Sequence, residues 1–93
     1  MSLRHALLAI LAVEPMTGYD LTKHFDRSAA YVWHAPHSQI YPELRKLEDA
    51  AYVTIEKGYL GRKPRTQVRI TPAGRKAFAA YLEALGRVIG PQA

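Results

Sequence analysis

Seven cationic side chains and no acid fall within residues 57–82: Lys57, Arg62, Lys63, Arg65, Arg69, Arg75 and Lys76. Charge of one sign concentrated in so short a stretch draws polyanions by its long-range field and by counterion release. The rest of the chain does not share this character. Residues 1–56 hold five basic and seven acidic side chains, and Glu83 faces Arg87 in the last eleven residues. The alternative is a solvated face that serves solubility alone. A second polar group lies upstream, at Ser38, Gln39, Arg45 and Lys46. These side-chain types suit hydrogen bonds to base edges and phosphate oxygens.

Other chemistries are poorly served. His34 and His37 stand three apart, and Asp20 and His24 four apart, but two such pairs without a single Cys make weak metal sites, so no metal is expected. The absence of Cys also excludes disulfides and a thiolate nucleophile. His37 and Ser38 are adjacent in sequence, which is not a base–nucleophile geometry, and neither a carboxylate pair nor a phosphate-cradling glycine loop is present. The chain is therefore expected to bind rather than catalyse, with no cofactor. Tyr31 and Trp33 admit two roles, an aromatic core between helices or the lining of an effector pocket.

The elements that must position these residues follow from periodicity. Leu3, Leu7, Ile10 and Leu11 predict a first helix over 3–13, which Glu14-Pro15 ends. Thr17 is a fair N-cap for a second helix carrying Leu21 and Phe25 and fading near Ser28. Ile40, Leu44, Leu47 and Ala51 fall at i, i+4, i+7 and i+11, predicting a third helix from Ser38 to Ala51 with Pro42 in its first turn. Its opposite face collects Ser38, Pro42, Arg45 and Asp49, flanked by Tyr41 and Lys46. The period then changes to two, with Val53 and Ile55 in one strand and Val68 and Ile70 in the next. Gly61 to Arg65 form the expected hairpin tip. Thr71-Pro72 restarts a helix whose stripe is Phe78, Leu82, Leu85 and Ile89.

Three helices, a two-stranded hairpin with a basic tip and a final helix spell a winged helix-turn-helix, a mainly α fold with a small β-hairpin. In this architecture the third helix enters the major groove while the hairpin, or wing, lies along the flanking backbone. The sequence also resembles the N-terminal domain of the PadR-type transcriptional regulators. The likeness rests on Leu7-Leu8 through Gly18-Tyr19-Asp20-Leu21, on Ser38-Gln39-Ile40-Tyr41-Pro42-Glu43-Leu44 with Leu47-Glu48, and on Ile70-Thr71-Pro72-Ala73-Gly74-Arg75. It implies sequence-specific binding to double-stranded operator DNA, usually as a homodimeric repressor released by a small-molecule effector. It also implies a DNA-facing role for Tyr41. The family usually carries Gly after the third helix, where this chain has Ala51, and commonly continues into a further dimerisation region.

The expected DNA contacts are accordingly Ser38, Gln39, Tyr41, Arg45, Lys46, Arg62, Lys63 and Arg65, with Phe78, Leu82, Leu85 and Ile89 as a dimerisation stripe. Residues 1–72 are assigned to the DNA-binding domain and 73–93 to the C-terminal helix, in a chain that is either a short family member or a fragment. Ninety-three residues, 48% of them hydrophobic, suffice for one core and not two. The longest apolar run, Ala6 to Val13, is far below the roughly 20 residues of a membrane span, so a cytoplasmic protein is expected. A winged-helix module binding a protein partner is the main alternative. An RNA-binding domain comes after it, because a two-stranded hairpin offers little stacking platform.

Overall fold

Ser2 opens the first helix. Its hydroxyl accepts from the His5 amide at 3.4 Å, satisfying one of the donors that a helix start leaves over. The structure, a computed structural model, describes residues 2–27 and 37–89, with side chains over 2–25 and 38–86. Helix α1 spans Leu3–Val13 and buries Leu7, Leu8 and Leu11. Helix α2 runs Gly18–Arg27 and buries Leu21 and Phe25. Thr17 caps it as expected, its Oγ1 accepting from the Asp20 amide at 3.0 Å. The aromatic connection with Tyr31, Trp33 and His34 lies outside the described residues, as does the His37 side chain.

Helix α3 spans His37–Asp49 and buries Ile40, Leu44 and Leu47. It ends two residues before the expected Ala51, which is exposed and stands at φ 63°. The Ala51 amide reaches the Glu48 carbonyl at 2.9 Å, and the Tyr52 amide the Leu47 carbonyl at 2.9 Å. This is the Schellman pattern. The left-handed turn is thus kept without the glycine that would relieve it. Because α3 starts at His37, Pro42 falls in the second turn rather than the first. It withdraws the amide that would meet the Ser38 carbonyl, on a face exposed to water.

Strands β2 (Val53–Leu60) and β3 (Lys63–Ile70) form the hairpin, closed by the pair Leu60–Lys63. The tip is therefore two residues, Gly61 and Arg62, and not the five expected. Gly61 sits at φ 63°, as the first central residue of a type II′ turn requires. Lys63, Pro64 and Arg65 belong to β3. Pro64 pairs with Tyr59, one step from the closing pair, where hydrogen bonding alternates off and the missing amide faces away from β2. A third strand not foreseen, β1 (Met16–Thr17), pairs with Val68 and Gln67 on the other side of β3. Two residues are too few to show a period of two, so only the fold reveals it.

Helix α4 spans Pro72–Ile89. Thr71 caps it, accepting from the Gly74 amide at 3.0 Å and donating to the Ala51 carbonyl at 2.7 Å. A side chain at Gly74 would collide with the Tyr52 carbonyl, so glycine lets the helix start against the α3–β2 corner. The N-terminal half of α4 lies on α1: Phe78 packs on the core, and Tyr81 stacks on His5 with ring centroids 3.6 Å apart. Arg75 Nη1 donates to the Ala12 carbonyl at 3.1 Å, a carbonyl that the end of α1 leaves over. Leu82 is 47% exposed, and Leu85 is half-buried. The Ile89 side chain lies outside the described residues.

Candidate nucleic-acid interface

The buried stripe of α3 determines what its other side presents. With Ile40, Leu44 and Leu47 inward, Ser38, Gln39, Tyr41, Arg45 and Lys46 are all exposed, as their spacing predicts. Tyr41, Pro42, Arg45, Lys46 and Asp49 line a shallow hollow along this face. Arg45 has no ion pair among the described residues. Lys46 approaches Glu43 at 3.9 Å, and Glu43 is drawn more closely by Arg4 of α1, at 3.3 Å. That acid ties α3 to α1 and leaves the Lys46 ammonium mostly in water.

Tyr41 is packed on one side and open to solvent on the other. Its ring lies against Gly18, where an added Cβ would come within 2.9 Å of Cε1, yet about half of its surface is exposed. The glycine that opens α2 therefore makes room for the phenol end of the ring, its hydroxyl included, to lie alongside that helix start.

The cations of the basic block do not share one surface. Arg62 stands exposed on the turn, beside exposed Lys63. The strand register places Lys63, Arg65 and Arg69 on the sheet face opposite the one that buries Val53, Val68 and Ile70. Lys57 lies on the core-side face, and with Tyr41, Arg45 and Thr66 it lines a cavity of about 260 Å³ between α3 and the wing. Lys57 is an addition to the expected contacts. The signal for it is available in the sequence, since two-residue alternation from Val53 and Ile55 puts it on their face. Arg75 is taken up by the end of α1.

This arrangement can bind a polyanion along α3 and the hairpin. Among the described residues no group of three or more His, Asp or Glu side chains gathers to hold a metal ion. No described helix is long and apolar enough to cross a membrane.

The chain matches the winged helix DNA-binding domain family over residues 3–89. It is 35% identical over 81 residues to the negative transcriptional regulator PadR of Bacillus subtilis, covering 86% of this chain and 44% of that protein. The chain thus spans less than half the length of that relative. The crystal structure of B. subtilis PadR in complex with operator DNA superposes with a TM-score of 0.80 at 34% identity, over 86% of this chain and 47% of that one. The same protein has been crystallised with p-coumaric acid. A PadR family transcriptional regulator from Eggerthella lenta gives a TM-score of 0.75 at 30% identity, over 94% of this chain and 73% of its own. On a fold of three helices, a wing and a capped fourth helix, these likenesses leave one conclusion: the chain belongs to the PadR-type winged helix DNA-binding domain family.

Proposed function

We propose that this chain is the operator-reading part of a transcriptional repressor, acting by binding and not by chemistry. The observation that carries this is the two-sidedness of α3. One face is locked into the core, and the other offers Ser38, Gln39, Tyr41, Arg45 and Lys46 to solvent beside a basic hairpin tip. Ser38, Gln39 and Arg45 would meet base edges in the major groove. Tyr41, Lys46, Arg62, Lys63 and Arg65 would meet phosphates, with Lys57 added to them. The likeness to a repressor crystallised on its operator supports this assignment.

The working unit is a homodimer, because a two-fold operator places two recognition helices about one DNA turn, roughly 34–36 Å, apart. Exposed Leu82 on α4 is available for that contact. Release by a small-molecule effector and action in the cytoplasm complete the proposal. Selection of bound sequences from random duplexes at physiological salt tests it, with an enriched inverted repeat expected. Replacing Arg62, Lys63 and Arg65 together by Ala should weaken operator and scrambled duplex alike. It should also flatten the salt dependence by about 0.9 in log–log slope for each phosphate no longer neutralised.

A further inference from the structure

We infer that Leu60, at the tip of the wing, is a minor-groove wedge that slips between two base pairs and bends the duplex towards its major groove. Six large apolar side chains are exposed among the described residues, and two of them are neighbours here: Tyr59 at 75% and Leu60 at 65%. Alternation turns them to opposite faces of the hairpin. A tip built for phosphates alone gains nothing from either. Leu60 has no hydrogen-bonding group in its side chain, so it gains only where its contact expels water. A sugar–phosphate rail is wet and charged, whereas the faces of two stacked bases are apolar. Leucine is among the side chains that proteins insert at such steps.

The surroundings of Leu60 suit that task. It pairs with Lys63 across a two-residue turn, so the wing ends in two strands about 4.8 Å apart. A B-DNA minor groove of about 6 Å admits so slim a tip once an opened step widens it. Arg62 on the turn and Lys63 opposite Leu60 are exposed, and they carry charge to the phosphates on either side. The next pair on the Leu60 face is Gly58 with Arg65. A side chain at Gly58 would meet nothing within 4 Å, and its backbone is not left-handed. Neither packing nor conformation therefore calls for glycine there. The bare backbone leaves a notch behind the wedge, where a sugar–phosphate rail can approach closely with the Arg65 guanidinium across from it.

Opening is cheapest at pyrimidine–purine steps such as TA, so Leu60 gives the chain a preference at bases that α3 never touches. The inference rests on the proposed duplex-binding function and adds to it a deformation that base and phosphate contacts do not require. The test uses the 93-residue chain and the duplex selected from random sequence, with dyes on both ends and 2-aminopurine stepped through each flank. Expected are raised energy transfer between the ends and brightening at one flanking step. Binding should be about 10-fold tighter when that step is TA rather than AA. Leu60→Ser should abolish the brightening, the bend and the TA preference while keeping the salt slope. Leu60→Met should retain all three. Gly58→Val suits a strand, so it should unfold at the wild-type midpoint and yet lose the bend. A wild type that holds the duplex straight with every step dark would overturn the wedge and spare the duplex function. Leu60→Ser bending the duplex as wild type does would overturn it too, and the same result for Gly58→Val would strike out the notch. A chain that selects no duplex would sink the wedge and the duplex function together.

Discussion

Helices α3 and α4 carry the same apolar spacing, and their surroundings treat it in opposite ways. Ile40, Leu44 and Leu47 are buried because α1, α2 and β2 pack against α3. On α4, which lies against α1, Phe78 reaches the core and Leu82, one turn on, stands half in water. A stripe at i, i+4 and i+7 therefore shows that a face exists, while the number of neighbouring elements decides whether it is core or contact surface.

The largest expected effect breaks this contrast at its strong end. Leu47→Ala should cost about 2–5 kcal/mol in chemical denaturation, as buried leucines do. Leu82→Ala should stay within about 0.5 kcal/mol when measured at low protein concentration. Similar losses for both would mean that α4 is buried as deeply as α3.

Leu82→Glu sharpens the other end. Sedimentation should show concentration-dependent association of the wild type and its loss in the variant, with the unfolding midpoint of dilute protein little changed. A wild type that is monomeric at high micromolar concentration would remove α4 of this chain as a sufficient dimer contact.

The caps also differ. Thr71 starts α4 without strain, whereas α3 ends on Ala51 at φ 63°. Ala51→Gly should stabilise the chain by about 0.5–1 kcal/mol, the relief being partly offset by the freer unfolded glycine. An unchanged or lower midpoint would show that the turn relaxes around alanine.

The smallest effect lies at the α1–α4 seam. Burial against Tyr81, and then Arg4 and the N-terminal amine, hold the His5 imidazole below its ordinary value of 6.5. The unfolded chain therefore takes up a proton before the folded one does. The contribution of neutral His5 is fully present above about pH 6.5 and declines as pH falls through that value towards the lowered one. Thermal unfolding between pH 7.5 and 5.5 should show a shallow loss that His5→Phe reduces. An identical slope in that variant would place the proton uptake elsewhere.

Much of this is legible in the residues. The α1 and α4 bounds, the Thr17 and Thr71 caps, and the exposure of Ser38, Gln39, Tyr41, Arg45 and Lys46 follow from short-range spacing and capping chemistry. What escapes depends on partners distant in sequence. The pairing of Met16 with Val68 spans more than fifty residues. The end of α3 is decided by backbone bonds that an alanine at Ala51 gives no reason to expect. A five-residue hairpin tip is the natural reading of a sequence in which Pro64 looks like a breaker. Only the register shows its missing amide falling where none is needed. Arg75 belongs with the wing cations by charge, which a sequence displays, and with α1 by the reach of its guanidinium to Ala12, which a sequence does not.

The two ends of the hairpin are fastened together at its root. There the Thr71 hydroxyl meets the Ala51 carbonyl at 2.7 Å and the Thr71 amide meets the Tyr52 carbonyl at 3.0 Å. The twenty-residue excursion between Ala51 and Thr71 is thus a closed cassette whose exit points stay put, whatever happens at Gly61 and Arg62. Lengthening such a tip adds only a slowly growing closure entropy, so the cassette is open to exchange. Evolution or an engineer can graft a longer or differently charged tip onto this root and retune how far along a duplex the molecule reaches, without repacking a single leucine beneath it.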